Sequence, residues 1–351
     1  MNKNFQNILI VRTDRIGDVV LSLPLTTIIK NKYPNAEISF LLRDYTKDLL
    51  YKHPAVDKVL VLEEKKGKVI FWKNIKKIKA ENFDTCLILY PTFKISLMLF
   101  LSKIKNRIGT GYRWYSFLFN QKIYEHRKYG EKHELEYNLN MLGKMGIDPE
   151  QARANVSFDI QIDKNSKQKV DSVLKRFSYK DSLPMVIIHP GSGGSAIDLP
   201  VSKMKSLTER LAHELNINLI ITGSKNEINI CNEISNSNSE IINLAGKLDL
   251  RELIALINKT EILIANSTGP IHIAGALNKF VVGFYPLIPS CSPTRWAPFT
   301  DKKRIFTPDL DCGGNCTREK CEKLNCMNSI DINKVFKEVD KILNSDNYLE
   351  N

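Results

Sequence analysis

The 351-residue sequence contains no run of about eighteen apolar residues free of charge, the minimum for a membrane-spanning helix. The nearest approach, Thr85 to Ile104, is interrupted by Pro91, Lys94 and Lys103. The N-terminal apolar stretch is broken by Arg12, Asp14, Arg15 and Asp18, so it does not read as a signal peptide. A cytosolic protein is the expectation. No repeat, low-complexity tract or recognisable nucleic-acid-binding module is present, which disfavours nucleic acid as a partner. Acidic residues are scarce relative to basic ones, 39 against 51, and the net charge is +12. The surplus is concentrated early: residues 1–150 hold 26 Lys and Arg against 16 Asp and Glu, the remainder 25 against 23. A basic first half suits an anionic partner such as a phosphorylated glycolipid or a membrane surface, although a lysine-rich solvated face has the same composition.

The length predicts two domains. Strand and helix patterns alternate nearly throughout. In the first half, strands are expected at Asn7–Arg12, Glu37–Leu42, Lys58–Leu62 and Thr85–Tyr90. Helices are expected over Val19–Lys32, Asp44–Tyr51, Val69–Ala80, from Thr92, and over Glu131–Met145. Residues 150–183 read as a connection with one helix near Asn165–Phe177. A second series follows, with strands at Met185–His189, Asn218–Thr222, Glu240–Asn243, Glu261–Ala265 and Phe280–Phe284. Its helices fall at Ser202–Leu215, Asn226–Ile234, Leu250–Asn258 and Pro270–Leu277, with a final helix over Asp331–Leu343. This alternation predicts two successive doubly wound α/β domains with parallel sheets.

Three strand-to-helix junctions carry candidate chemistry. The first is Val11-Arg-Thr-Asp-Arg-Ile-Gly17-Asp18, where Gly17 permits a tight turn. Asp18 then stands either as a carboxylate at the ligand-binding edge of a parallel sheet or as a simple helix cap. The second is His189-Pro-Gly191-Ser192-Gly193-Gly-Ser195, a loop whose amides and hydroxyls suit phosphate, or an ordinary flexible turn. It is not a Walker A loop, and Pro200 argues against a dinucleotide fingerprint. The third is Asn266-Ser267-Thr268-Gly269-Pro270-Ile-His272. Ser267 or Thr268 suits a helix cap, Pro270 its first turn, and His272 is either a phosphate contact or a structural histidine.

Two further patterns bear on metals. Asp309-Leu-Asp311 is formally a D-x-D triplet, which also arises by chance in loops. Cys312, Cys316, Cys321 and Cys326 could complete a structural zinc site, but they lack paired C-x2-C knuckles and equally describe a reduced surface cluster. Cys86, Cys231 and Cys291 fall in a strand, a helix and a loop respectively.

Arg-Ile-Gly-Asp18-Val, His-Pro-Gly-Ser-Gly-Gly-Ser and Asn-Ser-Thr-Gly-Pro-Ile-His272-Ile-Ala, in this order and spacing, resemble glycosyltransferase family 9, the heptosyltransferases of lipopolysaccharide core assembly. The similarity covers almost the whole chain. It implies a GT-B fold of two Rossmann-like domains facing a central cleft. Residues 1–160 would bind the acceptor and 161–330 the nucleotide sugar, with a C-terminal helix in 331–351. It also implies an inverting mechanism without metal or cofactor. The usual donor is ADP-L-glycero-D-manno-heptose, and the usual acceptor is Kdo-bearing lipid A or a longer core oligosaccharide. Such an enzyme would work as a peripheral protein at the inner face of the inner membrane.

Carried onto this sequence, Asp18 matches the catalytic base, Glu227 the ribose-binding carboxylate, and Leu248 an adenine contact. Thr268, Gly269 and His272 match diphosphate contacts. With Gly17, Ser192, Gly193, Ser195 and Gly223 they complete the expected donor set. Lys94 in Pro91–Lys94 and Arg113 in Gly111–Arg113 resemble acceptor-side residues. Two departures stand out: Ile197 occupies the place of a frequent lysine, and Ser267 that of a frequent aspartate. They leave open another nucleotide sugar as donor, or a non-catalytic binder of anionic glycolipid. An epimerase of the same fold would need further acid–base groups.

Overall fold

The computed structural model describes residues 5–236, 238–310 and 316–345. The chain divides into two compact units, with the boundary between Gln161 and Ile162.

The first unit is built on a six-stranded parallel sheet. Its strands are β1 (Asn7–Val11), β2 (Glu37–Leu42), β3 (Lys58–Val61), β6 (Thr85–Ile88), β7 (Asn106–Thr110) and β8 (Gln121–Ile123), in the order β3-β2-β1-β6-β7-β8. A small antiparallel hairpin of β4 (Glu64–Lys65) and β5 (Lys68–Val69) lies outside it. The second unit repeats the pattern with β9 (Met185–His189), β10 (Asn218–Ile221), β11 (Ile242–Asn243), β12 (Ile262–Asn266), β13 (Phe280–Phe284) and β14 (Lys303–Phe306), in the order β11-β10-β9-β12-β13-β14. Each central strand is covered on both faces. Ile8 to Val11 and Val186 to Ile188 are fully buried, as expected for apolar runs inside a parallel sheet. Strand order reverses between β1 and β6 in one unit and between β9 and β12 in the other. In such sheets ligands bind beyond the strand ends at these two points.

Several sequence expectations are corrected. The helix expected over Val19–Lys32 is two helices, Ile16–Val20 and Pro24–Lys32, because Pro24 has no N–H to continue the first. The segment Asp44–Leu50 is a 3-10 helix. The helix expected at Glu131–Met145 is α-helical only over Glu134–Asn140, then 3-10 to Met145. A short helix, Pro149–Ala154, was not anticipated. Neither were β7, β8 and β14. Their polar sequences, such as Gln-Lys-Ile and Lys-Arg-Ile-Phe, lie at or beside sheet edges, where one side meets solvent and the apolar run is lost. The last helix, Ile332–Leu343, sets Val335, Phe336, Val339 and Ile342 into the core of the second unit. Among the described residues no helix is long and apolar enough to cross a membrane.

Candidate active site

At the end of β1 the chain turns into the helix Ile16–Val20, and Asp18 lies in its first turn. Arg15 occupies the cap position, and no side chain caps this helix. The capping role considered for Asp18 is therefore not the one it has. Its carboxylate is instead held by Arg12, whose Nη2 donates to Asp18 Oδ1. Arg12 is only 2% exposed and carries two more carboxylates: Nε donates to Asp14 at 2.8 Å and Nη1 to Glu134 at 3.1 Å. Glu134 begins the helix Glu134–Asn140, and Arg127 pairs with it from the other side. Asn138, one turn on, donates to the Leu21 carbonyl at 3.0 Å and so fixes the turn that follows the Asp18 helix. Among these residues only Asp18 was anticipated. Arg12, Asp14, Glu134 and Asn138 are polar side chains whose roles appear only when the elements pack.

The two segments expected to lie on the acceptor side come together beyond β6. Tyr115 donates from its hydroxyl to the Pro91 carbonyl at 2.7 Å, and the Phe93 and Trp114 rings lie 4.8 Å apart. Lys94 and Arg113 are both exposed on this junction, with Lys94 Nζ donating to the Val69 carbonyl at 2.8 Å. Tyr112, Trp114, Phe117 and Tyr124 are exposed nearby in sequence, an unusual density of large apolar side chains in contact with solvent.

In the second unit the glycine- and serine-rich loop follows β9, and the helix Gly269–Ala276 follows β12. Asn266 ties the two together. Its side chain donates to the Pro190 carbonyl at 2.5 Å and accepts from the Leu199 amide at 2.8 Å. Ser195 adds a bond from its hydroxyl to the Ser267 carbonyl at 2.7 Å. Gly193 adopts a φ of +55°, which favours glycine. Thr268 takes the cap position with no side-chain cap bond, and Pro270 falls in the first turn, as the residue types predict. The first amides of this helix and its dipole suit an anion. Ser192 and Asp198 lie together at the glycine- and serine-rich loop, the Ser192 amide donating to Asp198 Oδ2 at 3.3 Å, and burial pushes the Asp198 carboxyl up. His272 is buried on the same helix, 6.3 Å from the Trp296 ring.

Glu227 reaches back over this loop. Its Oε2 accepts from the Ser224 amide at 2.7 Å and lies 3.9 Å from His189 Nε2. Burial alone would raise the Glu227 carboxyl. Hydrogen bonds from Ser224 and the nearby His189 more than offset this and hold it below its ordinary range. Burial pushes the His189 imidazole down, and its Nδ1 sits 2.9 Å from Thr222 Oγ1. A Cβ on Gly191 would stand 1.9 Å from Glu227 Oε1, so a side chain there would have to displace the Glu227 carboxylate. Gly223 accepts from the Gly246 amide at 2.8 Å, which brings the Gly223 loop beside the turn carrying Leu248.

Ile197 is partly buried against two apolar clusters, one being the core of the second unit. Its position is thus a packing position, while Arg318 Nη2 donates to the neighbouring Ala196 carbonyl at 2.8 Å. In the second cluster Cys321 and Cys326 are buried with Ile288, and Cys291 and Cys316 pack around them. Asp311 and Cys312 lie outside the described residues. Among the described residues no group of three or more His, Cys, Asp or Glu side chains is placed to hold a metal ion; the possible four-cysteine site includes Cys312, outside those residues.

Residues 71–326 match the model of glycosyltransferase family 9 (heptosyltransferase). A lipopolysaccharide core heptosyltransferase of Haemophilus influenzae is 26% identical, over 86% of this chain and 84% of its own. Among solved structures, a family 9 glycosyl transferase from Veillonella parvula superposes with a TM-score of 0.82 at 16% identity, covering 98% of each chain. The ADP-heptose lipopolysaccharide heptosyltransferase II of E. coli gives 0.78 at 21% identity, covering 96% of this chain and 98% of its own. With two doubly wound parallel sheets and a match to the family model over most of its length, the chain belongs to glycosyltransferase family 9 and is a glycosyltransferase of the GT-B fold.

Proposed function

We propose that this enzyme transfers a heptose from ADP-heptose to a lipopolysaccharide core acceptor in one inverting displacement that needs no metal. The observation that carries the reading is the Asp18 carboxylate. It is fixed by Arg12 at the switch point of the first sheet and is not consumed as a helix cap. Asp18 accepts the proton of the acceptor hydroxyl as that oxygen attacks the anomeric carbon. The C–O bond to the diphosphate breaks, and the leaving ADP takes the electron pair. Its charge is met by the Ser192–Ser195 loop and the helix beginning at Gly269. Glu227 binds the ribose hydroxyls, Gly223 and Leu248 border the adenine, and Thr268, Gly269 and His272 line the diphosphate. Lys94 and Arg113 hold the phosphorylated acceptor. The exposed aromatics beside them suit a lipid surface, and the basic first half suits anionic headgroups at the inner face of the inner membrane. Incubation with ADP-heptose and Kdo-bearing lipid A, followed by mass spectrometry, tests the reading. A heptosylated product is expected. Transfer only from a different nucleotide sugar would overturn the heptose donor.

Activity should persist in excess EDTA, since backbone amides rather than a cation meet the diphosphate charge. Loss of transfer that magnesium or manganese alone restores would refute this. Gly191→Ala should weaken ADP binding at least about tenfold in calorimetry, because the new methyl displaces the Glu227 carboxylate. The same overpacking should lower stability by about 1–3 kcal/mol. Unchanged ADP affinity would show that neither residue touches the nucleotide.

A further inference from the structure

The charge cluster around Arg12 is larger than a single base requires. Three carboxyl groups, Asp14, Asp18 and Glu134, share the Arg12 guanidinium, and Arg127 is the second cation, paired with Glu134. Arg12 and Glu134 are 2% and 1% exposed at their side chains, and Asp14 and Asp18 are 12% and 14% exposed. With every group ionised, three negative charges would face two positive ones away from bulk water, an arrangement that carries a heavy desolvation cost. One retained proton makes the cluster neutral.

The contacts narrow that proton to Asp14 and Asp18. Glu134 is held by both guanidinium groups, so its anion is doubly compensated. Asp18 receives Arg12 Nη2. Among the described residues Asp14 receives Arg12 Nε at its carboxyl, and its other neighbour is the Asp18 carboxylate. The remaining charged or titratable groups facing the pair do not neutralise Asp14. Tyr45, from the 3-10 segment Asp44–Leu50, donates its hydroxyl to the Asp14 carbonyl rather than to its carboxyl. Arg15 is exposed, and Arg43 is paired with Glu64.

We propose that Asp14 and Asp18 form a proton-sharing carboxyl pair on Arg12, with Asp14 holding the proton and donating it to Asp18. Asp14 is thereby a positioning residue: its O–H orients the Asp18 carboxylate and leaves Asp18 the only anion of the pair. Burial, followed by the Asp18 charge and hydrogen bond, pushes the Asp14 carboxyl up to about 8 against the pull of Arg12. The pair therefore becomes a dianion in the mildly alkaline range. The consequence for catalysis rests on the proposed role of Asp18, whereas the pair itself does not.

Carboxyl-carbon NMR titration of the full-length protein, with 13C-labelled aspartate, tests the pair without any activity. One aspartate signal should titrate near pH 8, disappear in Asp14→Asn, and move to lower pH by about one pH unit or more in Asp18→Asn, where the neighbouring charge is gone. Absence of any aspartate titrating above about pH 6 would overturn the pair. So would an Asp14 signal that ignores Asp18→Asn. In steady-state assays, the wild-type profile of log kcat/KM against pH, which reports the free enzyme, should bend near pH 8, and that of Asp14→Asn should not. A rate defect of the same size at every pH would reduce Asp14 to packing. If the NMR pair is present and Asp18→Asn still turns over normally, the base assignment falls and the pair stands.

Discussion

Asp18→Asn is expected to lower the rate of sugar transfer by more than about a hundredfold, the scale of losing a positioned general base. The substitution keeps the shape of the side chain, and its amide oxygen still accepts from Arg12. What it loses is the ability to take up the acceptor proton. The elements proposed to bind the donor belong to the second unit, on β9, β12 and the segments that follow them. ADP affinity, measured by calorimetry, should therefore stay within about twofold of wild type, well under the roughly 1.4 kcal/mol that a tenfold change represents. Near-normal turnover by mass spectrometry would remove Asp18 from the mechanism. A large loss of both turnover and ADP binding would point to a folding defect, which a thermal melt separates.

Arg12→Met should be among the most destabilising single changes in the first unit. The guanidinium is buried and bonded to three carboxyl groups, so its removal leaves Glu134 with Arg127 and takes from Asp14 and Asp18 the cation they share. Breaking a buried ion pair from one side costs about 3–5 kcal/mol, since the orphaned partner stays out of water. The expected readout is a urea midpoint lowered by that amount, with the slope unchanged. Arg12→Lys should recover only part of the loss, because one ammonium does not reproduce a planar fork reaching Asp14, Asp18 and Glu134 together. A loss below about 1 kcal/mol for Arg12→Met would mean that the carboxylates reach solvent or take up protons without strain.

What the residues reveal by themselves is the local part of the architecture. Runs such as Asn7–Val11 and Met185–His189 are legible because a strand covered on both faces must be apolar along its whole length. The Ser192–Ser195 loop and the Thr268-Gly269-Pro270 start of a helix are legible because their residue types have short-range conformational meanings. The polar outer strands β7, β8 and β14 are not, since half-exposed edge segments carry no such pattern. At the site, the position of Asp18 after a strand and a glycine marked it, but two roles remained open. The tertiary structure removed the capping role: Arg15 holds the cap position, and the Asp18 carboxylate is taken by Arg12, which also reaches Asp14 and, across 122 residues of chain, Glu134. It likewise placed Ile197 in a core, and set Cys291 beside Cys316, Cys321 and Cys326. Hydrophobic periodicity is a property of neighbouring residues and can be read along the chain, whereas the protonation and pairing of a buried charge depend on which distant groups the packed elements place within reach of it.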